Sequence, residues 1–305
     1  SLSVTPATLT VSADDTNRVY GAANPVFTGA VVGLLNNDNI TAEFSSIADT
    51  NSLAGTYPIT VALADPDTRL GNYTVSTNDG TLTVSAATLI FASDDTNRVY
   101  GTANPVLTGS ITGLLNGDNI TATYSSAADT NSAVGLYQIT QTISDPDGKL
   151  VNYAAATNHG SLSVTPATLT VSAEDTNRVY GAANPVFTGS ITGLLNNDNV
   201  TAEFSSVADA NSVAGTYPIT AALADPDIKL GNYIVSTNEG TLTVSAATLI
   251  FASDSTNRVY GAANPVLTGS ITGLLNGDNI TATYSSAADT NSAVGLYQIT
   301  QTISD

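Results

Sequence analysis

The chain of 305 residues contains no cysteine, no tryptophan and no methionine, and a single histidine, His159. Without cysteine there can be no disulfide, no thiolate nucleophile and no thiolate metal site. Without oxidation-prone side chains the sequence suits an oxidising exterior. Lysine and arginine number only 7 against 26 aspartates and glutamates, for a net charge of −19. A surface so acidic excludes ordinary binding to nucleic acid and attraction to anionic lipid. No apolar run approaches the ~20 residues that span a bilayer, so no membrane insertion is expected of this segment. Amphipathic helical patterning is missing as well.

What is present repeats. The string NRVYGAANPVFTG at 17–29 returns as NRVYGTANPVLTG at 97–109, NRVYGAANPVFTG at 177–189 and NRVYGAANPVLTG at 257–269. Self-similarity at a fixed period is read before any other pattern. Aligned on Tyr20, Tyr100, Tyr180 and Tyr260, the units fall at 7–86, 87–166, 167–246 and a shorter 247–305. Residues 1–6, SLSVTP, match 161–166 and are read as the end of a preceding repeat, in an array that continues beyond both ends. Repeats 2 and 4 are nearly identical: over 87–145 and 247–305 they differ only at Asp95/Ser255 and Thr102/Ala262. The true period is therefore a pair of domains, and unlike neighbours lower the risk of misfolding between them.

Within a unit the apolar residues alternate, the mark of strands. Leu9 and Val11 face inward on the first; Phe27, Gly29 and Val31 alternate on another. GLLNND (33–38) forms a corner with room for one helical turn. Ile40–Phe44 reads as a strand, and Tyr57, Ile59, Val61 and Leu63 share one face of the longest one. ADPD (64–67) has proline where a type I turn wants it. Asn72–Ser76 and Thr81–Ser85 are expected to pair as a hairpin across TNDG (77–80), since Asp-Gly favours hairpin turns. The fold class is all-β, a tandem array of small 80-residue β-sandwich-like domains of six or seven strands each.

Junctions are short. TLTV (81–84) reaches TLIF (88–91) through Ser-Ala-Ala, and SLSV (161–164) reaches TLTV (168–171) through Thr-Pro-Ala. Flexible linkers are longer and richer in glycine and serine. Val84 and Leu89 lie five residues apart, so in one continuous strand they would face opposite sides. With each assigned to its own core, successive domains are expected to be rotated about the long axis, joined end to end as an extended rod.

The Val19-Tyr20-Gly21 string, Asn24-Pro25, the Gly33-Leu34…Asp38 corner, Ala54-Gly55…Tyr57, Asn72-Tyr73 and Gly80-Thr81-Leu82 together resemble MBG domains of the YGX type, once per unit along the whole chain. That resemblance implies a tandem-repeat region of a large bacterial surface adhesin. The function it implies is a stalk or spacer that projects an adhesive domain from the cell. The alternative is that the repeats bind a host glycan or protein, or self-associate in biofilm formation. The implied localisation is the bacterial cell surface, and the partners are neighbouring repeats of the same chain in a monomeric rod, with any host or surface receptor unspecified.

Chemistry is sparse. Tyr20 is read as structural, its ring packed and its hydroxyl hydrogen-bonded, with Gly21 permitting a turn and Arg18 satisfying carbonyls or pairing with Asp14 or Asp15. His159 stands in a turn where other units have Asp79 and Glu239, so no triad recurs. No phosphate loop or Cys/His cluster is present. The expectation is no enzyme, no catalytic residue, no cofactor and no metal. Calcium is the competing reading, with Asp65, Asp67, Asp145, Asp147, Asp225 and Asp227 of the Asp-Pro-Asp turns as candidates. Calcium takes six to eight oxygens, and each turn offers only two carboxylates. A Lys–Asn isopeptide staple in every unit is excluded, because Lys149 and Lys229 face Arg69 at that position in repeat 1. Gln141 and Gln301 are expected to sit at a partly solvated strand end with no functional role.

Overall fold

Alternation in the sequence becomes alternation in space. Repeat 1 forms seven strands: β1 (Ala7–Ala13), β2 (Thr16–Val19), β3 (Gly29–Val32), β4 (Thr41–Ser45), β5 (Gly55–Ala64), β6 (Tyr73–Asn78) and β7 (Gly80–Ser85). The only helical element is a single 3₁₀ turn, Leu70–Asn72. One sheet has the order β3-β1-β6, the other β2-β7-β5-β4. In the first, β1 runs antiparallel to β3 and parallel to β6. In the second, β5 runs antiparallel to β4 and β7, and β2 parallel to β7. Leu9 and Val11 of β1 pack against Phe44, Val61 and Leu63 of the opposing sheet, so each repeat is a two-layer sandwich.

The structure, a computed structural model, describes all 305 residues. It divides into two compact units, 1–165 and 166–305. Each contains two repeats, and every sheet draws its strands from one repeat only. The fourth repeat forms two two-stranded sheets, Ile250–Ser253 with Gly269–Thr272 and Thr281–Ser286 with Ile299–Ser304.

Two local expectations fail for identifiable reasons. The hairpin across TNDG does not form: β6 pairs with β1 in one sheet and β7 with β5 and β2 in the other. The chain crosses between layers at Asp79-Gly80. Gly80 is buried there, and a Cβ on it would stand 2.6 Å from the carbonyl oxygen of Asp14. The glycine therefore serves close backbone approach rather than a hairpin turn. The corner at 33–38 contains no helical turn either. Asn36 and Asn37 both have positive φ (54° and 55°), and Asp38 N–H donates to Leu35 O at 3.0 Å, the pattern of a type I′ turn. Asparagine tolerates that region because its short polar side chain finds local partners.

The Asp-Pro-Asp turns close with Thr68 N–H donating to Asp65 O at 3.3 Å. The residue after the motif is left-handed in all three turns: Thr68 (φ 54°), Gly148 (φ 63°) and Ile228 (φ 54°). Only repeat 2 places glycine there. Ile228 is 88% exposed, so it gains little from packing while carrying the strain of a β-branched residue at positive φ. Ile228→Gly is predicted to stabilise unit 2 by about 0.5–1 kcal/mol, the left-handed strain less glycine's entropy; an upward shift in the denaturant midpoint checks it.

Candidate functional site

The repeated tyrosine stands at the joint between neighbouring repeats. β7 ends at Ser85, and β8 (Ala87–Ser93) begins after a single intervening residue. Burial changes phase across this step: Leu82 and Val84 are buried on β7, then Ala87, Leu89 and Phe91 on β8. The chain thus presents opposite sides to the sandwich it leaves and the one it enters, as the odd spacing of Val84 and Leu89 predicts. Their cores, however, are not separate. Tyr20, Ile59, Leu82 and Val84 of repeat 1 form one continuous cluster with Ala87, Leu89, Phe91, Ile120 and Tyr153 of repeat 2. So short a connection brings the two apolar ends within contact distance, and burying them removes their surface from water.

Tyr20 is the centre of this joint. Its backbone N–H donates to Ser85 O at 2.8 Å, which fixes it at the end of its own sandwich. Its hydroxyl donates to Asp118 of repeat 2, at 3.0 Å to Oδ2 and 3.3 Å to Oδ1. Tyr153 of repeat 2 donates to the same Oδ2 at 2.6 Å. The two rings meet edge to face, centroids 5.5 Å apart at 78°, a favoured aromatic geometry. One carboxylate is therefore shared by a tyrosine from each side. Two further bonds flank it: Asn116 Nδ2 to Thr50 O at 2.9 Å, and Ala54 N–H to Asn152 Oδ1 at 2.9 Å.

Gly21 has two reasons to be glycine. Its φ is +80°, and a Cβ would lie 2.8 Å from Leu115 Cδ1 of repeat 2. Within unit 2 the joint between repeats 3 and 4 repeats this plan. Tyr180 donates to Asp278 Oδ1 at 2.8 Å, Asn276 Nδ2 to Ala210 O at 2.8 Å, and a Cβ on Gly181 would meet Leu275 Cδ1 at 2.6 Å.

Behind the joint, Arg18 organises the loop that carries the tyrosine. It is 6% exposed and has no carboxylate partner. Nε donates to Asn24 Oδ1 at 2.7 Å, Nη1 to Val19 O at 3.3 Å and Nη2 to Asp49 O, while Asn24 Nδ2 donates to Ala48 O at 2.6 Å. Of the two roles expected for Arg18, the structure selects carbonyl satisfaction. Asp14 and Asp15 are used otherwise: Asp14 accepts from Thr28 Oγ1 at 2.7 Å and Asp15 from Thr81 N–H at 2.7 Å.

The calcium candidates lie in exposed turns. Asp65 accepts from Arg69 N–H at 2.9 Å and Leu70 N–H at 2.7 Å, so both its oxygens hold the turn. Asp145 and Asp225 do the same for Lys149, Leu150, Lys229 and Leu230. Asp67, Asp147 and Asp227 are exposed. The fold groups no third Asp, Glu or His with any of these pairs. His159 is exposed in the crossing between layers. Gln141 is half-buried and donates to Asn158 O at 2.6 Å, while Gln301 is exposed and donates to Phe251 O at 3.3 Å. Tyr20, Asp118, Asn116 and Asn152 are the residues the fold brings together. The tyrosine and aspartate were legible as repeated motif residues; their meeting across the joint was not.

The model of the MBG domain (YGX type) matches residues 9–83, 89–163, 169–243 and 249–304. No curated protein matches the chain. Among solved structures, the I9–I11 tandem of titin is 11% identical, with 79% of this chain and 100% of that chain covered and a TM-score of 0.22. The extracellular domain of protocadherin gammaB4 is 9% identical, with 93% and 59% covered and a TM-score of 0.23.

Two predictions follow from the joint geometry. Gly21→Ala adds left-handed strain and a clash with Leu115, and should lower the stability of residues 1–165 by about 2 kcal/mol or more; denaturant unfolding against the parent checks it. The second concerns pH. Burial, then the hydrogen bond to Asp118, push the Tyr153 hydroxyl up from 10.0 to about 12. The group is therefore more readily ionised when unfolded. Its stabilisation is complete below about pH 10 and lost as pH rises through about 12. In an alkaline titration followed by tyrosinate absorbance, Asp118→Asn should move the Tyr153 transition down towards 10.0, because the neighbouring carboxylate raises it.

Proposed function

Because the chain belongs to the MBG domain (YGX type) family, we propose that it is a structural spacer built of domains locked to their neighbours, serving as the stalk of a bacterial surface adhesin. The single observation that carries this reading is the fused core at the joint between repeats 1 and 2, with Tyr20, Asp118 and Tyr153 at its centre. A joint with a shared apolar interior and three sets of cross-repeat hydrogen bonds resists bending, because bending would expose apolar surface and unpair buried groups. Stiffness of that kind is what a stalk requires, and a passive tether would have no use for it.

The rest of the molecule agrees in kind. The conspicuous polar side chains hold turns, loops and joints: Arg18 its loop, Asp65 its turn, Asp118 its joint. The acidic surface would keep closely spaced copies apart on a crowded exterior. The reading includes no catalysis and no bound metal, and it leaves adhesion to a part of the protein other than these repeats. A compact 80-residue domain is roughly 30 Å across. Four in line would give a maximum dimension on the order of 120–150 Å by the same scaling, in one rod-shaped particle. Small-angle scattering of the whole chain tests this. A particle of that length with a rod-like cross-section supports the stalk; a distribution typical of freely hinged beads contradicts it. Binding of an isolated repeat pair to an array of glycans would instead favour repeats that are themselves adhesive.

A further inference from the structure

The joint loops differ between alternate repeats in one consequential respect. Repeats 2 and 4 carry Asn116-Gly117 and Asn276-Gly277, whereas repeats 1 and 3 carry Asn36-Asn37 and Asn196-Asn197 at the same place. No other Asn-Gly pair occurs in the sequence. Both are turn centres with positive φ: 54° and 70° at Asn116 and Gly117, 52° and 74° at Asn276 and Gly277. Asn116 and Gly117 are exposed to water. The asparagine amides also do structural work, since Asn116 Nδ2 donates to Thr50 O and Asn276 Nδ2 to Ala210 O of the preceding repeat.

We propose that Asn116 and Asn276 are sites of spontaneous deamidation, and that the reaction converts a closed joint irreversibly into a weakened one. An asparagine followed by glycine is unusually open to this chemistry, because no side chain on the next residue hinders its nitrogen. The main-chain nitrogen of Gly117 attacks Cγ of Asn116, forming the N–Cγ bond of a succinimide. The Cγ–Nδ2 bond breaks, and ammonia leaves with the proton lost by the Gly117 nitrogen. Water then adds to one of the two ring carbonyls, giving aspartate or isoaspartate. Either product replaces an N–H donor with a carboxylate, which faces the carbonyl oxygen of Thr50 and stands two residues from Asp118. A cross-repeat hydrogen bond is thus exchanged for repulsion between acceptors.

The hydrogen bond also governs the rate. While the joint is closed, Thr50 O holds the Asn116 carboxamide against the preceding repeat. Meeting the nitrogen of Gly117 requires that bond to break, so each opening of the joint is a chance for the reaction. The modification accumulates where joints open and then keeps them weak. This inference needs only the joint geometry and stands whether or not the array serves as a stalk.

The sequence makes the test direct. Cleavage after lysine and arginine places Asn36, Asn116, Asn196 and Asn276 in four different peptides, 19–69, 99–149, 179–229 and 259–305. The whole chain is held at mildly alkaline pH, sampled over days, digested, and the one-dalton gain located by fragmentation. Asn116 and Asn276 should convert several-fold faster than Asn36 and Asn196. Tyr20→Phe, which loosens only the first joint, should accelerate Asn116 and leave Asn276 unchanged. The aged chain and Asn116→Asp should both lose hydrogen-exchange protection at the Ala54 amide, whose acceptor is Asn152 across the joint. Gly117→Asn, which copies the turn of repeats 1 and 3, should slow the conversion and keep that protection. Equal rates at all four asparagines, or an Asn116 rate indifferent to Tyr20→Phe, would overturn the proposal. So would undiminished protection at Ala54 after conversion.

Discussion

Tyr20 is only 1% exposed, yet the groups that enclose it come from two repeats. A tyrosine ring carries a large apolar area and one hydroxyl that must be satisfied when buried. Repeat 1 supplies the ring, and repeat 2 supplies the cover and the acceptor. Neither sandwich completes this corner alone. Much of the joint follows: glycine at 21 so that Leu115 can approach, aspartate at 118, and asparagines at 116 and 152 reaching across.

The same constraint accounts for the brief connections. A longer linker would let the two apolar ends separate, at the cost of exposing the cluster shared by Val84, Ala87 and Tyr153. One residue between β7 and β8 leaves little freedom. It also forces the change of phase in burial, so the chain itself serves as the axis of the joint. Arg18 acts at a distance from that contact. By gathering the carbonyls of Val19 and Asp49 and the side chain of Asn24, it holds the tyrosine loop in place from within its own repeat. A buried guanidinium with several oxygen partners and no carboxylate is suited to such loop fixing, since its donors form a rigid fork.

Much of the fold could be read from local pattern. The inward faces of β1 and β5 follow from strict alternation at Leu9, Val11 and at Tyr57 to Leu63, and the Asp-Pro-Asp turn follows from its proline. The crossing at Asp79-Gly80 was missed because Asp-Gly signals a hairpin only when both flanking strands join one sheet. Here β6 finds a parallel partner in β1, a non-local pairing that no short window contains. The corner at Asn36-Asn37 was misjudged although its residues carried a signal: asparagine tolerates the left-handed region that a type I′ turn requires and is a poor helix former. The structural role of Tyr20 was legible from its repetition and from the glycine beside it. Its partner was not, since Tyr20 and Asp118 lie 98 residues apart, and their meeting depends on how two sandwiches abut. The expectation of separate cores failed at the same place.

If neighbouring repeats share one interior, a pair of them should unfold as one body. Calorimetry of residues 1–165 tests this most directly. The account predicts a single transition whose calorimetric and van't Hoff enthalpies agree for the full length of the pair. Two resolved transitions, or a van't Hoff enthalpy near half the calorimetric value, would show that the repeats fold independently and that the joint binds them only loosely.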